Sequence, residues 1–172
     1  AGQIVTLTYP HVGNVGVNPE DVESRKVFVS GLVIRDLPRR MSNFRASQDL
    51  SGYLRDAGIV AIADIDTRKL TRILRERGAQ NGCIVAATAI SARDADEAVA
   101  KARSTRSMAG LDLAQDVSCS TGYDWTGSTW GLGSGYCREG DTKFHVFAYD
   151  YDIKHSMVRV LAGRGWRLTV VP

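Results

Sequence analysis

Apolar and β-branched residues fall in short runs divided by turn residues, a pattern that predicts strands and helices in alternation. Gln3-Ile-Val-Thr-Leu-Thr-Tyr9 reads as a strand, and Pro10-His-Val-Gly-Asn-Val-Gly16 supplies the Pro, Gly and Asn of a turn-rich loop. Lys26 to Ile34 is again β-rich, with Gly31 a bulge or close-contact point, and Arg35-Asp-Leu-Pro38 ends it. A Ser47 cap opens a helix running to about Ala57, with Leu50, Tyr53 and Leu54 on one face and Gly58 at its end. Ile59-Val-Ala-Ile-Ala63 then predicts a buried strand. Asp64-Ile-Asp-Thr67 leads into a helix over Arg68 to Arg77, whose inward face is Leu70, Ile73 and Leu74 and whose stop is Gly78. A strand from Cys83 to Ala87 follows, then a helix from Ala92 to about Arg103, capped by Ser91 with Asp94 three residues on.

Between Ser118 and Lys143 the chain turns to Gly, Ser and Thr with isolated aromatics, which marks a domain boundary. Tyr123, Trp125 and Trp130 are expected to anchor part of this connector on a domain surface, because such side chains carry large apolar area. Phe144 to Tyr149, Ile153 to Ala162 and Trp166 to Val171 read as strand, helix and strand, one βαβ unit. Such a unit leaves most of its apolar surface uncovered, so further strands are expected from sequence after Pro172. Both ends fall abruptly at strand-like runs, as expected of a piece of a longer polypeptide. The predicted class is α/β, divided into residues 1–117, a connector over 118–143, and residues 144–172.

Composition narrows the function classes. A chain of 172 residues with 44% hydrophobic and 24% charged residues can bury a core, which excludes wholesale disorder. Its 22 Lys and Arg against 19 Asp and Glu leave a net charge of +3, too mild to name nucleic acid or a membrane as a bulk partner. The longest unbroken apolar run, Ile59 to Ala63, falls far short of the roughly 20 residues that cross a bilayer, and the N-terminus lacks a signal-peptide pattern. A cytoplasmic setting is therefore expected. Cys83, Cys119 and Cys137 are odd in number and widely spaced, so they read as free thiols and not as a zinc or disulfide framework.

Few residues offer chemistry. Cys83 could be a nucleophile beside a turn, but a cysteine heading an apolar strand is more simply a small core residue. Cys119 and Cys137 have no His or basic cluster beside them to lower a thiol pKa. His11, His145 and His155 form no ligand spacing; His145, in an apolar strand, is expected in the core, His155 at a helix start and His11 in a turn. Asp64 and Asp66 could pair as acid and base, although Asp66 or Thr67 can cap the next helix. Helix 68–77 carries Arg68, Lys69, Arg72, Arg75 and Arg77 against Glu76, a stripe either solvated or presented to an acidic partner. Neither Gly13-Asn-Val-Gly16 nor Gly131-Leu-Gly-Ser-Gly135 matches a phosphate-cradling glycine motif.

Several of these segments carry a resemblance. They are Gln3 to Gly16, Gly31-Leu-Val-Ile-Arg-Asp-Leu37, Ser42-Asn-Phe-Arg45, Asp112-Leu113, Phe144 to Pro172, and above all the run Ile59-Val-Ala-Ile-Ala-Asp-Ile-Asp-Thr-Arg-Lys-Leu-Thr-Arg-Ile-Leu-Arg-Glu-Arg-Gly-Ala-Gln-Asn-Gly-Cys-Ile84. Together they resemble the small subunit of glutamine-dependent carbamoyl-phosphate synthetase. The resemblance implies the remainder of a swivelling β/β/α domain followed by the first βαβ unit of a doubly wound class I glutaminase domain. It further implies a large ATP-using synthetase subunit as partner, with glutamine as substrate of the complete subunit. A cysteine thiolate would attack the amide there, and the released ammonia would pass to the large subunit to make carbamoyl phosphate.

The resemblance also implies where that chemistry is not. The family's nucleophile sits in a G-x-C-x-G-H-Q motif beyond the position of Pro172, its His and acid lie further on, and a glutamine-holding serine precedes the position of Gln3. No catalytic, cofactor-binding or metal-binding residue is therefore assigned to this chain, and it is expected to act as scaffold and subunit contact, inactive alone. The alternatives are a non-catalytic module that binds an acidic protein through Arg68, Arg72 and Arg75, or an independent cysteine hydrolase with a histidine beside a cysteine. One local departure stands out. Where the family reads Asp-aromatic-or-Cys-Gly-x-Lys-x-Asn, this chain has Asp150-Tyr-Asp-Ile-Lys-His-Ser156. Asp152 replaces a Gly expected to permit positive φ, and Ser156 offers fewer hydrogen-bonding groups than Asn.

Overall fold

A computed structural model describes residues 2–137 and 141–172, as an α/β protein with two three-stranded sheets and five α-helices among the described residues. These divide into two compact units, one of residues 1–21 and 27–111, the other of residues 22–26 and 112–172.

The first unit holds a parallel sheet in the order β1 (Ile4–Thr6), β2 (Gly31–Val33), β3 (Val60–Ile62). Its register aligns Ile4 with Gly31 and Gly31 with Val60. Helix α1 (Leu50–Asp56) precedes β3, and its Leu54 packs with Leu32 and Ile34, closed over by Leu50, Tyr53 and Ile59. Gly31 is a close-contact point: a Cβ there would stand 2.9 Å from Ile84 Cδ1. Helix α2 (Thr67–Arg77) begins where Asp66 accepts from the Lys69 N–H at 3.0 Å and stops at Gly78, φ 77°. Helix α3 (Ala92–Ser104) opens on the expected capping box, Ser91 and Asp94 each bonding the other's backbone N–H.

Four expectations for this unit are corrected. Asp49, not Ser47, caps α1, accepting from the Gly52 N–H at 2.6 Å, while the Ser47 hydroxyl donates to the Val17 carbonyl. The strand in 26–34 shrinks to Gly31–Val33, because a ladder extends only as far as its three-residue partners. β3 is not buried; as an edge strand it leaves Ala61 and Ile62 exposed. Cys83 to Ala87 forms no strand: Ile84 packs through its side chain on Gly31, and its backbone joins no ladder.

In the second unit β4 (Tyr123–Trp125), β6 (Trp166–Val171) and β5 (Phe144–Tyr149) lie in that order, with α4 (Leu113–Val117) ahead of them and α5 (His155–Gly163) crossing from β5 to β6. β5 and β6 are parallel and in full register, so the βαβ reading holds. Leu168 and Val170 alternate inward on β6 and pack with Val158 and Ala162 of α5. β4 pairs antiparallel with β6, Trp125 opposite Leu168, and comes from the Gly, Ser and Thr-rich segment read as a connector. Trp125 is thus an anchor, as expected, but it anchors through a ladder as well as by its ring. Residues 138–140 of that segment lie outside the described residues.

Candidate functional site

In the second unit the chain leaves β5 through Asp150, which is 5% exposed. Its Oδ2 accepts from the Cys119 backbone N–H at 2.7 Å and its Oδ1 from the Ile153 N–H at 2.9 Å. Burial acts to raise this carboxyl, but hydrogen bonds from the Ile153 and Cys119 N–H groups and the Cys119 thiol outweigh it and hold Asp150 below the ordinary carboxylate range. Cys119 responds in the opposite sense: burial and the adjacent Asp150 push its thiol up. A cavity of about 270 Å³ opens here, with Cys119, Asp150, Trp125 and His155 among its walls.

His155 opens α5, as expected, and its Nδ1–H donates to the Val22 carbonyl at 3.1 Å while its ring lies 5.0 Å from that of Trp125. Lys154, the N-cap residue, makes no side-chain cap bond. Glu23, 133 positions upstream of Ser156, fills that role. Its carbonyl accepts from the His155 N–H at 3.0 Å and its Oε2 from the Ser156 N–H at 2.7 Å. A carboxylate at a helix start also meets the positive end of the helix dipole. Burial raises Glu23, but Ser156, Lys154 and Arg159 together bring it below its usual range. No sequence signal within 154–156 points to this distant cap.

The other candidates stand apart. Cys83 is half-buried and outside any strand, beside Asp94, Glu97 and Lys101 along a cavity of about 320 Å³. Cys137 is exposed. His145 is not in the core: it lies on the sheet face opposite α5, exposed, with Nε2 2.8 Å from Thr169 Oγ1, which donates to Asp124 Oδ1 at 2.6 Å. The alternation of β5 places Val146 inward and therefore His145 outward. His11 pairs with Asp36 at 2.7 Å on the surface. Asp66 caps α2, and Asp64 turns with φ 62°, so the two serve the backbone. Among the described residues no histidine hydrogen-bonds a cysteine, and no group of three His, Cys, Asp or Glu side chains is placed to hold a metal ion. No helix among them is long and apolar enough to cross a membrane.

On the first unit the basic face of α2 is not a bare stripe. Arg68, Arg72 and Arg75 line a groove of about 660 Å³, with Thr71 beside them on α2 and Thr6 and Thr8 on the other wall. Sequence reasoning picked out the arginines and missed the threonines, although Thr6 and Thr8 are two apart in an extended run and so share a face.

The family model for the carbamoyl-phosphate synthase small chain, CPSase domain, matches residues 1–84. Three curated relatives, each a carbamoyl phosphate synthase small chain, extend the match over the rest. That of Rubrivivax gelatinosus is 58% identical over 173 residues, 99% of this chain and 45% of the relative. That of Acinetobacter baylyi is 54% identical over 175 residues, 100% and 45% respectively, and that of Escherichia coli 54% over 173 residues, 99% and 44%. Along its whole length the chain is similar to carbamoyl-phosphate synthase small chains. It spans less than half the length of these relatives.

Beside the small chains it resembles, the turn after β5 takes on a specific meaning. Asp152, at the position read as the family's Gly, has φ 69°, the left-handed region that Gly enters without strain and Asp enters at a modest cost. Its carboxylate accepts from the Ser24 hydroxyl at 3.3 Å, a long and exposed bond that offsets little. Asp152→Gly is therefore expected to stabilise the chain by about 0.5 kcal/mol, against the usual entropic penalty of Gly. Thermal melting checks it; an equal or lower Tm would mean that the Ser24 contact outweighs the strain.

Proposed function

We propose that this chain is the framework part of a carbamoyl-phosphate synthase small subunit, working in the cytoplasm against a large ATP-using subunit. In the complete subunit glutamine is hydrolysed and its ammonia passes to the large subunit to form carbamoyl phosphate. This part contributes scaffold and subunit contact and holds no cofactor, nucleic acid or membrane of its own. Identity of 54–58% along the whole chain is the observation that carries the reading.

The chemistry of the described residues is in accord with it. A thiol acts as nucleophile when a base or a positive site lowers its pKa, whereas Cys119 sits buried beside a carboxylate and is raised. The histidines are engaged elsewhere, with Asp36, Thr169 and the Val22 carbonyl. The purified chain should release no ammonia from glutamine above background in a coupled glutamate assay. Turnover that disappears in Cys83→Ala or Cys119→Ala would overturn the scaffold reading in favour of an independent cysteine hydrolase.

A further inference from the structure

We infer that the groove between β1 and α2 is where this chain receives a carboxylate-rich segment of the large synthetase subunit. The inference rests on the pairing proposed above and assigns it a surface. Its first support is the distribution of charge. Helix α2 carries five basic residues against Glu76, a net +4, while the whole chain is +3, so everything outside this helix sums to −1. The positive character of the molecule is concentrated on one element.

The second support is how differently the arginines are used. Arg45 pairs with Glu20 and Asp21, Arg93 with Glu97, Arg159 with Glu23, and Arg167 with Asp124. Among the described residues none of the ion pairs involves Arg68, Arg72 or Arg75, and all three are exposed along the groove. Stripes that serve only solubility usually alternate in sign, with acids four residues from the bases. On α2 the sole acid, Glu76, is not among the residues that line this groove.

Geometry selects the ligand class. Arg68, Arg72 and Arg75 follow one another over about 10 Å of helix axis, so they form a line and do not converge on one point, as capture of a single phosphate would ask. An extended peptide with acids at alternate positions spaces its carboxylates by about 7 Å, close to the roughly 6 Å rise from Arg68 to Arg72. Guanidinium groups take carboxylates two-pronged, and the hydroxyls of Thr6 and Thr8 on the facing wall can bond the same oxygens or the peptide backbone, whereas Thr71, on α2 itself, donates its hydroxyl to the Arg68 carbonyl at 3.1 Å. The groove walls carry no aromatic side chain on which bases would stack, which separates this surface from a single-strand nucleic-acid site.

The test is binding of the full chain to the purified large subunit by surface plasmon resonance, with four versions compared. These are the unaltered chain, the charge reversal Arg72→Glu/Arg75→Glu, the charge-keeping Arg72→Lys/Arg75→Lys, and a control reversal Arg103→Glu/Arg106→Glu beyond the groove. Thermal melting confirms that each is folded, as expected for exposed positions. The groove reversal should weaken binding by roughly tenfold or more, the lysine version by only about threefold, and the control should match the unaltered chain. Raising the salt should erode binding of the unaltered chain more steeply than that of the reversal. Binding that ignores the groove reversal, or that falls equally in the control, overturns the assigned surface while leaving the pairing intact. No binding by the unaltered chain overturns the pairing and the surface together. Tighter binding to a single-stranded RNA oligomer than to the large subunit would overturn the choice of ligand.

Discussion

Leu168→Ala should lower the stability of the second unit by about 3 kcal/mol, the middle of the range for truncating a fully enclosed leucine. Leu168 is 0% exposed at the centre of the central strand β6, flanked by Trp125 on β4 and Val146 on β5, with α5 over it. Two effects add: the apolar area of the lost side chain, and the cavity left where strands on both sides prevent collapse. The measurement is direct because Trp125, Trp130 and Trp166 are the chain's three tryptophans and all lie in this unit. Denaturation followed by tryptophan fluorescence therefore reports its unfolding. As a comparison in the same unit, Leu132→Ala at a position 81% exposed should cost under about 0.5 kcal/mol. Equal losses at the two positions would show that β6 is not the organising strand.

Asp150→Ala comes next in size, with an expected loss of about 2–3 kcal/mol, since it strands the Cys119 and Ile153 N–H groups without their acceptor. Asp150→Asn keeps one carbonyl oxygen and should lose less. The pH dependence distinguishes a charged acceptor from a merely polar one. Asp150 is lowered in the folded chain, so in acid the unfolded chain binds its proton first, and stability from this residue rises with pH. The contribution is complete above the unfolded value near 3.9 and fades as pH falls through it toward the lower folded value. Urea titrations at neutral pH and near pH 3 should thus show the gap between the unaltered chain and Asp150→Asn closing in acid. A gap that stays constant would mean the carboxylate's charge plays no part in holding the turn.

Both effects sit on elements that periodicity could find, because local rules govern them. Leu70, Ile73 and Leu74 with Gly78 mark α2, Ser91 and Asp94 mark α3, and the strand, helix and strand after Phe144 form the parallel pair β5 and β6. Caps, apolar spacing and glycine stops are properties of a few neighbouring residues, and they survive folding unchanged. The resemblance to carbamoyl-phosphate synthase small chains was legible for a related reason: the long run from Ile59 to Ile84 contains the α2 pattern and its flanking turns in one continuous stretch. The positive φ at Asp152 was likewise foreseeable from a Gly expected at that turn.

Elsewhere the answer lay with partners distant in the chain. Cys83 to Ala87 has strand-like residues and no ladder, because β propensity expresses packing and Ile84 finds its packing on Gly31. His145 faces outward because the pleat assigns its neighbours Val146 and Ala148 to the α5 side. Tyr123 to Trp125 becomes a strand only because β6 offers an edge, and Glu23 becomes the cap of α5 only because the fold brings residues 22–26 to it. The sequence by itself determined the α/β class, the resemblance to the small chains and which helices and strands their own neighbours can start and stop. The tertiary structure alone decided which edge pairs, which face is covered, and which distant carboxylate meets a helix start, since each of these is a contact between groups far apart along the chain.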